Sequence, residues 1–218
     1  MRKVAAEDHR EQLVHIIDDD ETVRDGIAML LSSVDIAVKV YSSGEEFLHS
    51  DVPECPSCVV LDVRLRGMSG LALQQSIKTR LGLPVIFVSA HGDVEMTARA
   101  MKAGAIDFLS KPFRGQDMLD AVTAAIEVDC TRRRQESAIA ALVSCYEQLT
   151  TREREVMALV AGGAHNKKIA LQLELSEVTI KLHRGNAMKK MRSMSFAHFV
   201  LQAHALGLAS LDPLLVTT

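Results

Sequence analysis

The sequence predicts an α/β fold, a doubly wound five-stranded parallel sheet, with a second, all-α domain behind it. Three observations point there. Short apolar runs rich in β-branched residues recur between residues 13 and 110, each followed by apolar positions at helical spacing. Within the runs both alternating positions are apolar, as in strands buried on both faces. From Glu127 onward the pattern changes to helices separated by caps and a glycine stop.

Leu13-Val14-His15-Ile16-Ile17 reads as the first strand and ends at Asp18-Asp19-Asp20-Glu21. Val23, Ile27, Leu30, Leu31 and Val34 mark the first helix. Ala37–Tyr41 is strand-like and leads to Ser43-Gly44-Glu45-Glu46, a capping box for a helix carrying Phe47 and Leu48. Cys58-Val59-Val60-Leu61-Asp62 is the third strand. In the loop after it, Gly67 and Gly70 bend the chain, and Ser69 is the candidate N-cap of a helix to about Thr79. Val85–Ser89, entered through Pro84, is the fourth strand, and its helix runs from about Asp93 to Ala103 with Gly104 as its stop. Ile106–Ser110 is the fifth strand, and Met118, Leu119, Val122, Ala125 and Ile126 line the fifth helix. Crossovers of such a sheet are right-handed, and its chemistry gathers at the carboxyl edge where strands 1 and 3 diverge.

At 218 residues the chain suits two domains, and 48% hydrophobic with 24% charged residues excludes a disordered chain. The segment from Met1 to Gln12 is charged and no run approaches ~18 apolar residues, so neither a signal peptide nor a membrane span is expected, and the cytoplasm is the expected compartment. Four scattered cysteines do not make a secreted disulfide framework. Cys55-Pro56-Ser57-Cys58 has redox or half-zinc spacing, but no second pair completes it, and Cys58 is expected to fill core. The net charge of −3 divides into −6 for residues 1–144 and +3 for residues 145–218. This split points to metal or phosphate chemistry in front and a polyanion partner behind.

Asp18 and Asp19 follow the first strand, Asp62 ends the third, Ser89 ends the fourth and Lys111 follows the fifth. One acid after a strand is ordinarily a loop acid or a cap. Matched groups at four strand tips imply one shared site. Three converging carboxylates repel unless one is protonated or a cation joins them, and Mg²⁺ accepts such oxygen ligands. A carboxylate can also attack phosphorus to give an aspartyl phosphate, with Lys111 and the metal offsetting charge on the transferring group. Plainer roles stay open: a salt bridge for Lys111 and a loop cap for Ser89.

Behind Glu127, Arg132-Arg133-Arg134 reads as a solvated turn of a helical linker whose Ile139, Leu142, Cys145 and Leu149 form one apolar face. Thr150-Thr151-Arg152-Glu153 is a capping box, and Gly162-Gly163 stops the helix that carries Val156, Leu159 and Val160. Asn166 is expected to cap the next helix, bearing Ile169, Ala170 and Leu173, and Ser176 a third that runs to about Lys190. Short helices in this order fit a helix-turn-helix. On the third, Ile180, Ala187 and Met191 share one side, while Val178, Lys181, Leu182, Gly185, Asn186 and Lys189 share the other. An outward Leu among cations suits thymine methyls beside phosphates and base edges, against the plainer reading of a solvated cationic helix. His183 lies nearer the inner side and reads as structural.

Residues 13–126 resemble a two-component response-regulator receiver domain at Ile17-Asp18-Asp19, Leu61-Asp62, Gly67-Met68-Ser69-Gly70, Ser89-Ala90 and Lys111-Pro112-Phe113. The resemblance implies a flavodoxin-like sheet of order 2-1-3-4-5 with Asp62 as phosphoacceptor. It implies Mg²⁺ held by Asp19, Asp62 and the Arg64 backbone carbonyl, with Asp18 acting mainly through water. It also implies a Ser89/Phe108 switch and a cis Lys111-Pro112 bond. Arg66 departs from this family, which usually has Pro before Gly67. Residues 149–206 resemble a LuxR-type (NarL/FixJ) DNA-binding domain at Leu149–Val156, Asn166-Lys167-Lys168-Ile169-Ala170 and Val178–Arg184. That resemblance implies groove reading by Lys181 and Leu182, and the candidate DNA contacts also include Asn186, Lys189, Asn166 and Lys167. Gly185 departs where many relatives carry a longer side chain.

The expected organisation is a receiver over 1–127, a helical linker over 128–147 and a DNA-binding domain over 148–218. The expected function is that of a transcriptional regulator and not an enzyme. Its implied partners are a sensor histidine kinase, double-stranded promoter DNA and RNA polymerase, with a homodimer on phosphorylation and no membrane. A rival reading takes Asp18-Asp19-Asp20-Glu21-Thr22 as the DxDx(T/V) motif of a haloacid-dehalogenase-like phosphatase, with Asp18 as nucleophile and Asp20 as acid/base. It lacks a second acid at suitable spacing after Asp93 and leaves the last third of the chain unexplained.

Overall fold

Residues 12–90 and 94–208 are described by the computed structural model; Asp93, the expected start of the fourth helix, lies outside them. The elements follow as β1 (Leu13–Ile17), α1 (Glu21–Ser32), β2 (Ala37–Tyr41), α2 (Gly44–Leu48), β3 (Ser57–Asp62) and α3 (Gly70–Arg80). Next come β4 (Val85–Ser89), α4 (Val94–Lys102), β5 (Asp107–Ser110) and α5 (Gly115–Glu147). Then α6 (Thr151–Ala161), α7 (Asn166–Leu173), α8 (Glu177–Lys190) and α9 (Phe196–Ala205) complete the elements of the described residues. The strands pair in parallel in the order β2-β1-β3-β4-β5, the predicted flavodoxin-like topology.

Burial follows from the two-sided cover. Every residue of β1, β3 and β4 is buried, whereas edge strand β2 leaves Ala37, Lys39 and Val40 exposed. Because side chains alternate along a strand, β3 sends Cys58 and Val60 to one face and Val59 and Leu61 to the other. The first face packs on Ile27 and Leu31 of α1 and on Met118, Val122 and Ile126 of α5. The second packs on Phe47 of α2, Leu73 and Ile77 of α3, and Ala100 of α4. Each such fully buried Leu, Ile or Phe contributes about 1.5–3 kcal/mol over an exposed one.

His15 breaks the apolar run of β1. It is fully buried, with Nδ1 3.0 Å from the Tyr41 hydroxyl and its ring against Tyr41 and Phe47. Its Nε2 finds no hydrogen-bond partner among the described residues. Burial, with a smaller contribution from Lys39, lowers its pKa from 6.5 to about 4.

The helix starts carry the chemistry read from the sequence, with three differences. Thr150 and Glu153 form the full capping box of α6, and Ser176 accepts the Thr179 N–H at the start of α8. At α2, Ser43 accepts the Glu46 N–H, but Glu46 reaches back to the backbone N–H and hydroxyl of Ser42, one residue before the cap. Ser69 stands at the N-cap of α3 without a side-chain cap bond; its backbone instead bridges Arg64. Asn166 is not the cap of α7: His165 holds that position, and the Asn166 amide oxygen accepts a bond from Arg184 Nη1 at 3.2 Å.

Helix α5 is one continuous helix of 33 residues, so the expected linker is its carboxyl-terminal part. The two compact units, Met1–Arg133 and Arg134–Thr218, divide within it. In the second unit, Leu142, Cys145 and Tyr146 pack on a core of Leu149, Val156, Met157, Ile169, Ile180, Met191 and Phe199, while Ile139 is exposed. The basic triplet is not simply solvated. Asp129, fully buried, accepts bonds from the Ser57 N–H (2.9 Å), Arg132 Nε (2.9 Å) and Arg133 Nε (2.6 Å); Arg134 alone of the three is exposed. A buried carboxylate needs such partners, and this one ties α5 to the start of β3.

Two outcomes follow from these buried groups. Since the folded pKa of His15 lies below its ordinary value, its neutral form supports the fold fully above pH 6.5 and that support fades as pH falls toward 4. Urea unfolding should show wild type losing about 2 kcal/mol more than His15→Gln between pH 7 and pH 5; parallel losses would refute this. Asp129→Ala, which removes the acceptor of the Ser57 N–H and of bonds from Arg132 and Arg133, should cost about 2–4 kcal/mol by the same measurement.

Candidate functional site

At the carboxyl edge of the sheet, β1 and β3 lie side by side in register, with Ile17 opposite Leu61, so the acids that follow each strand meet. Ligand oxygens of Asp18, Asp19 and Asp62 all lie within 4.8 Å of one another. Lys111, delivered by the end of β5, places Nζ 2.6 Å from Asp18 and 3.8 Å from Asp62. One ammonium against three carboxylates leaves excess negative charge in a half-buried pocket. The pKa of Asp62 is raised chiefly by burial; Lys111 opposes this, Asp18 adds to it by less, and the backbone N–H groups of Arg64 and Val63 oppose it again.

The loop from β3 to α3 wraps this pocket. Gly67, with φ +84°, makes the bend that L side chains resist. Gly70 is needed for a different reason: a Cβ there would collide with the Asp62 carbonyl oxygen, and its N–H donates to the Val63 carbonyl at 3.0 Å. The start of α3 thus presses on the backbone that carries Asp62. Arg64 opens the loop, its backbone bridged to Ser69. Ser89 is buried at the tip of β4, level with Ser110, and its carbonyl accepts the Lys111 N–H at 2.7 Å. Phe108 is half-buried on β5, with its ring centroid 6.3 Å from that of Phe87. The Lys111-Pro112 bond is cis.

Two contacts escaped the reading of the sequence. Arg24 Nη1 donates to the Asp18 carbonyl at 2.6 Å, and Arg66 Nε donates to Asp19 Oδ2 at 3.0 Å. In the sequence Arg66 is a loop residue, and no spacing rule joins it to an acid 47 residues earlier. Asp20, the acid/base of the phosphatase reading, caps α1 by accepting the Thr22 and Val23 N–H groups. Asp18, the nucleophile of that reading, is buried under Lys111. Burial, with a contribution from Asp129, pushes the Cys58 thiol up to about 12, which makes it a core group and not a redox one.

In the second unit, α8 buries Ile180, Ala187 and Met191 and exposes Val178, Lys181, Leu182, Gly185, Asn186 and Lys189, the two sides expected. His183 is half-buried, and Lys167 is exposed on α7. A Cβ at Gly185 would meet nothing within 4 Å, so nothing inside this unit demands glycine there. Arg184 is held by Asn166 and by the Phe196 ring, 5.3 Å from its centroid. Glu153 joins α6 to α8: besides closing its capping box it accepts Lys190 Nζ at 2.6 Å. Burial would raise its pKa, but the bonds from Lys190 and Thr150 outweigh burial and hold the carboxyl below its usual range.

Comparison with known proteins agrees with both halves. Residues 14–123 match the response regulator receiver domain family, and residues 147–203 match the family described as bacterial regulatory proteins, luxR family. Nodulation protein W of Bradyrhizobium diazoefficiens is 46% identical over 199 residues, covering 91% of this chain and 88% of that protein. The transcriptional regulatory protein FixJ of Azorhizobium caulinodans is 39% identical, covering 91% of this chain and 95% of its own. The solved structure of the response regulator StyR superposes with a TM-score of 0.78 at 40% identity, covering 89% of this chain and 98% of that one. No relationship to haloacid-dehalogenase-like phosphatases is supported. A receiver sheet with clustered acids, joined to a helix-turn-helix of LuxR type, makes the chain a member of the FixJ-like response regulators, phosphorylation-regulated transcription factors that bind DNA.

Proposed function

We propose that Asp62 is the phosphoacceptor, on one observation above all: Asp18, Asp19 and Asp62 share a pocket with Lys111 at its wall. The oxygen-only donor set, with more negative charge than Lys111 offsets, fits a hard divalent cation. Asp19, Asp62 and the Arg64 carbonyl would hold Mg²⁺ directly and Asp18 through water; when bound, the ion offsets charge on the phosphoryl oxygens and orients them. In the transfer, a carboxylate oxygen of Asp62 attacks the phosphorus of a phosphohistidine on the sensor kinase. The new P–O bond forms as the P–N bond breaks, and the imidazole leaves with the electron pair. Lys111 stays paired to Asp18 and turns its charge toward the incoming oxygens.

The phosphoryl group adds about −1.5 to −2 charges beside Ser89. In this reading the Ser89 hydroxyl turns to donate to it, Phe108 follows inward, and the surface from α4 to β5 changes shape. The change favours a homodimer or alters domain contacts, so that two α8 helices meet half-sites about one DNA turn apart. Lys181 and Leu182 read base edges; Asn186, Lys189, Lys167 and Asn166 contact the flanking backbone. The complex then works with RNA polymerase, in the cytoplasm where the promoter is.

Incubation with Mg²⁺ and a small-molecule phosphodonor should give a hydroxylamine-labile adduct on wild type and none on Asp62→Asn; equal labelling of the variant would end this assignment. For the reader, Lys181→Ala should weaken promoter binding and lower the slope of log affinity against log salt by about one. An unchanged slope with unchanged affinity would remove Lys181 from the interface.

A further inference from the structure

Arg66 stands in the loop after β3, and its guanidinium reaches across to one of the three acids. Nε stands 3.0 Å from Asp19 Oδ2, while Lys111 serves Asp18 and Asp62. The two cations therefore divide the cluster: the inner pair of acids goes to a largely buried lysine, the outer acid to an arginine. The exposures differ accordingly. Lys111 is 17% exposed at its side chain and Arg66 is 88% exposed, with Asp19 at 26%. An ion pair this open is weak, screened by salt and easily exchanged. It nevertheless engages a carboxylate oxygen that a divalent ion would use, and it holds a positive charge at the entrance.

We propose that Arg66 is an internal competitor for the cation site, a counter-ion that holds Asp19 until Mg²⁺ displaces it and so sets how much Mg²⁺ the site requires. The proposal rests on the acidic cluster being that site. Entry of the ion exchanges one N–H···O contact for a metal–oxygen contact and releases the guanidinium into solvent; no covalent bond changes. A proline at position 66 could not do this, since it carries neither charge nor reach. The chain thus trades part of its cation affinity for a response that depends on the Mg²⁺ level and on ionic strength.

The test is titration of the full chain with Mg²⁺ alone, by calorimetry, with Mn²⁺ electron paramagnetic resonance as a second readout and no phosphodonor present. Arg66→Gln keeps a polar side chain of similar length without the charge, and far-ultraviolet circular dichroism checks its fold. At low salt Arg66→Gln should bind Mg²⁺ about three- to tenfold more tightly than wild type, and the difference should shrink as salt screens the pair. Arg66→Lys, which keeps the charge, should stay close to wild type. If Arg66→Gln binds Mg²⁺ no better than wild type, or worse, Arg66 is not a competitor and the proposal falls while the cation site stands. If Asp19→Asn and Asp62→Asn leave Mg²⁺ binding unchanged, the cluster is not the cation site, and the reading beneath the proposal falls with it.

Discussion

Mutual repulsion among Asp18, Asp19 and Asp62 is the constraint around which the receiver half is arranged. A fold that held three carboxylates within 4.8 Å with no compensation would lose stability or take up a proton. Here Lys111, Arg66 and the N–H groups of Val63 and Arg64 each remove part of that penalty without removing all of it. The remainder is negative charge that, on the function proposed, a cation would offset. The buried sheet matters because it fixes the tips of β1 and β3 in register; loose strands would let the acids separate.

The surrounding polar groups sort by how completely they are partnered. Asp129 is fully satisfied and fastens α5 to β3, so that the helix and the strand ending at Asp62 share one anchor. Gly70 fixes the other end of the same strand by admitting α3 to van der Waals range of its backbone. His15 and Gln74 are less complete: among the described residues the His15 Nε2, between aromatic neighbours, and the Gln74 Oε1 have no hydrogen-bond partner. Strand β3 is therefore clamped at both ends, and Asp62 sits at one of them.

Much of this was legible in the residues. Alternation of apolar runs and helical faces is a property of the chain itself, so the five strands, their parallel sheet and the acids at their tips could be read directly. Local capping was legible for the same reason, since Thr150 with Glu153 and Ser176 with Thr179 act within one turn. What stayed hidden was contact between residues far apart in sequence whose types carry no signature of their partner. Arg66 with Asp19, Asp129 with Ser57, and Lys190 with Glu153 are of this kind. Asn166 shows the opposite error: a good capping residue lay one position beyond the cap because a tertiary bond to Arg184 claimed its side chain.

The bond from Lys190 to Glu153 bears on how the second unit would meet a polyanion. Counted along the chain, residues 145–218 hold a surplus of three positive charges. Lys190 is committed inward to a nearly inaccessible acid, Arg152 leans on Glu155, and Arg184 stacks on Phe196. Those three cations are paired within the unit, and on the proposed function the side of α8 that turns to DNA would bring a thinner layer of cations around an oily ridge of Val178 and Leu182. Such a surface would displace few condensed ions, so fit against the floor of the groove would do more of the discriminating than attraction to its walls.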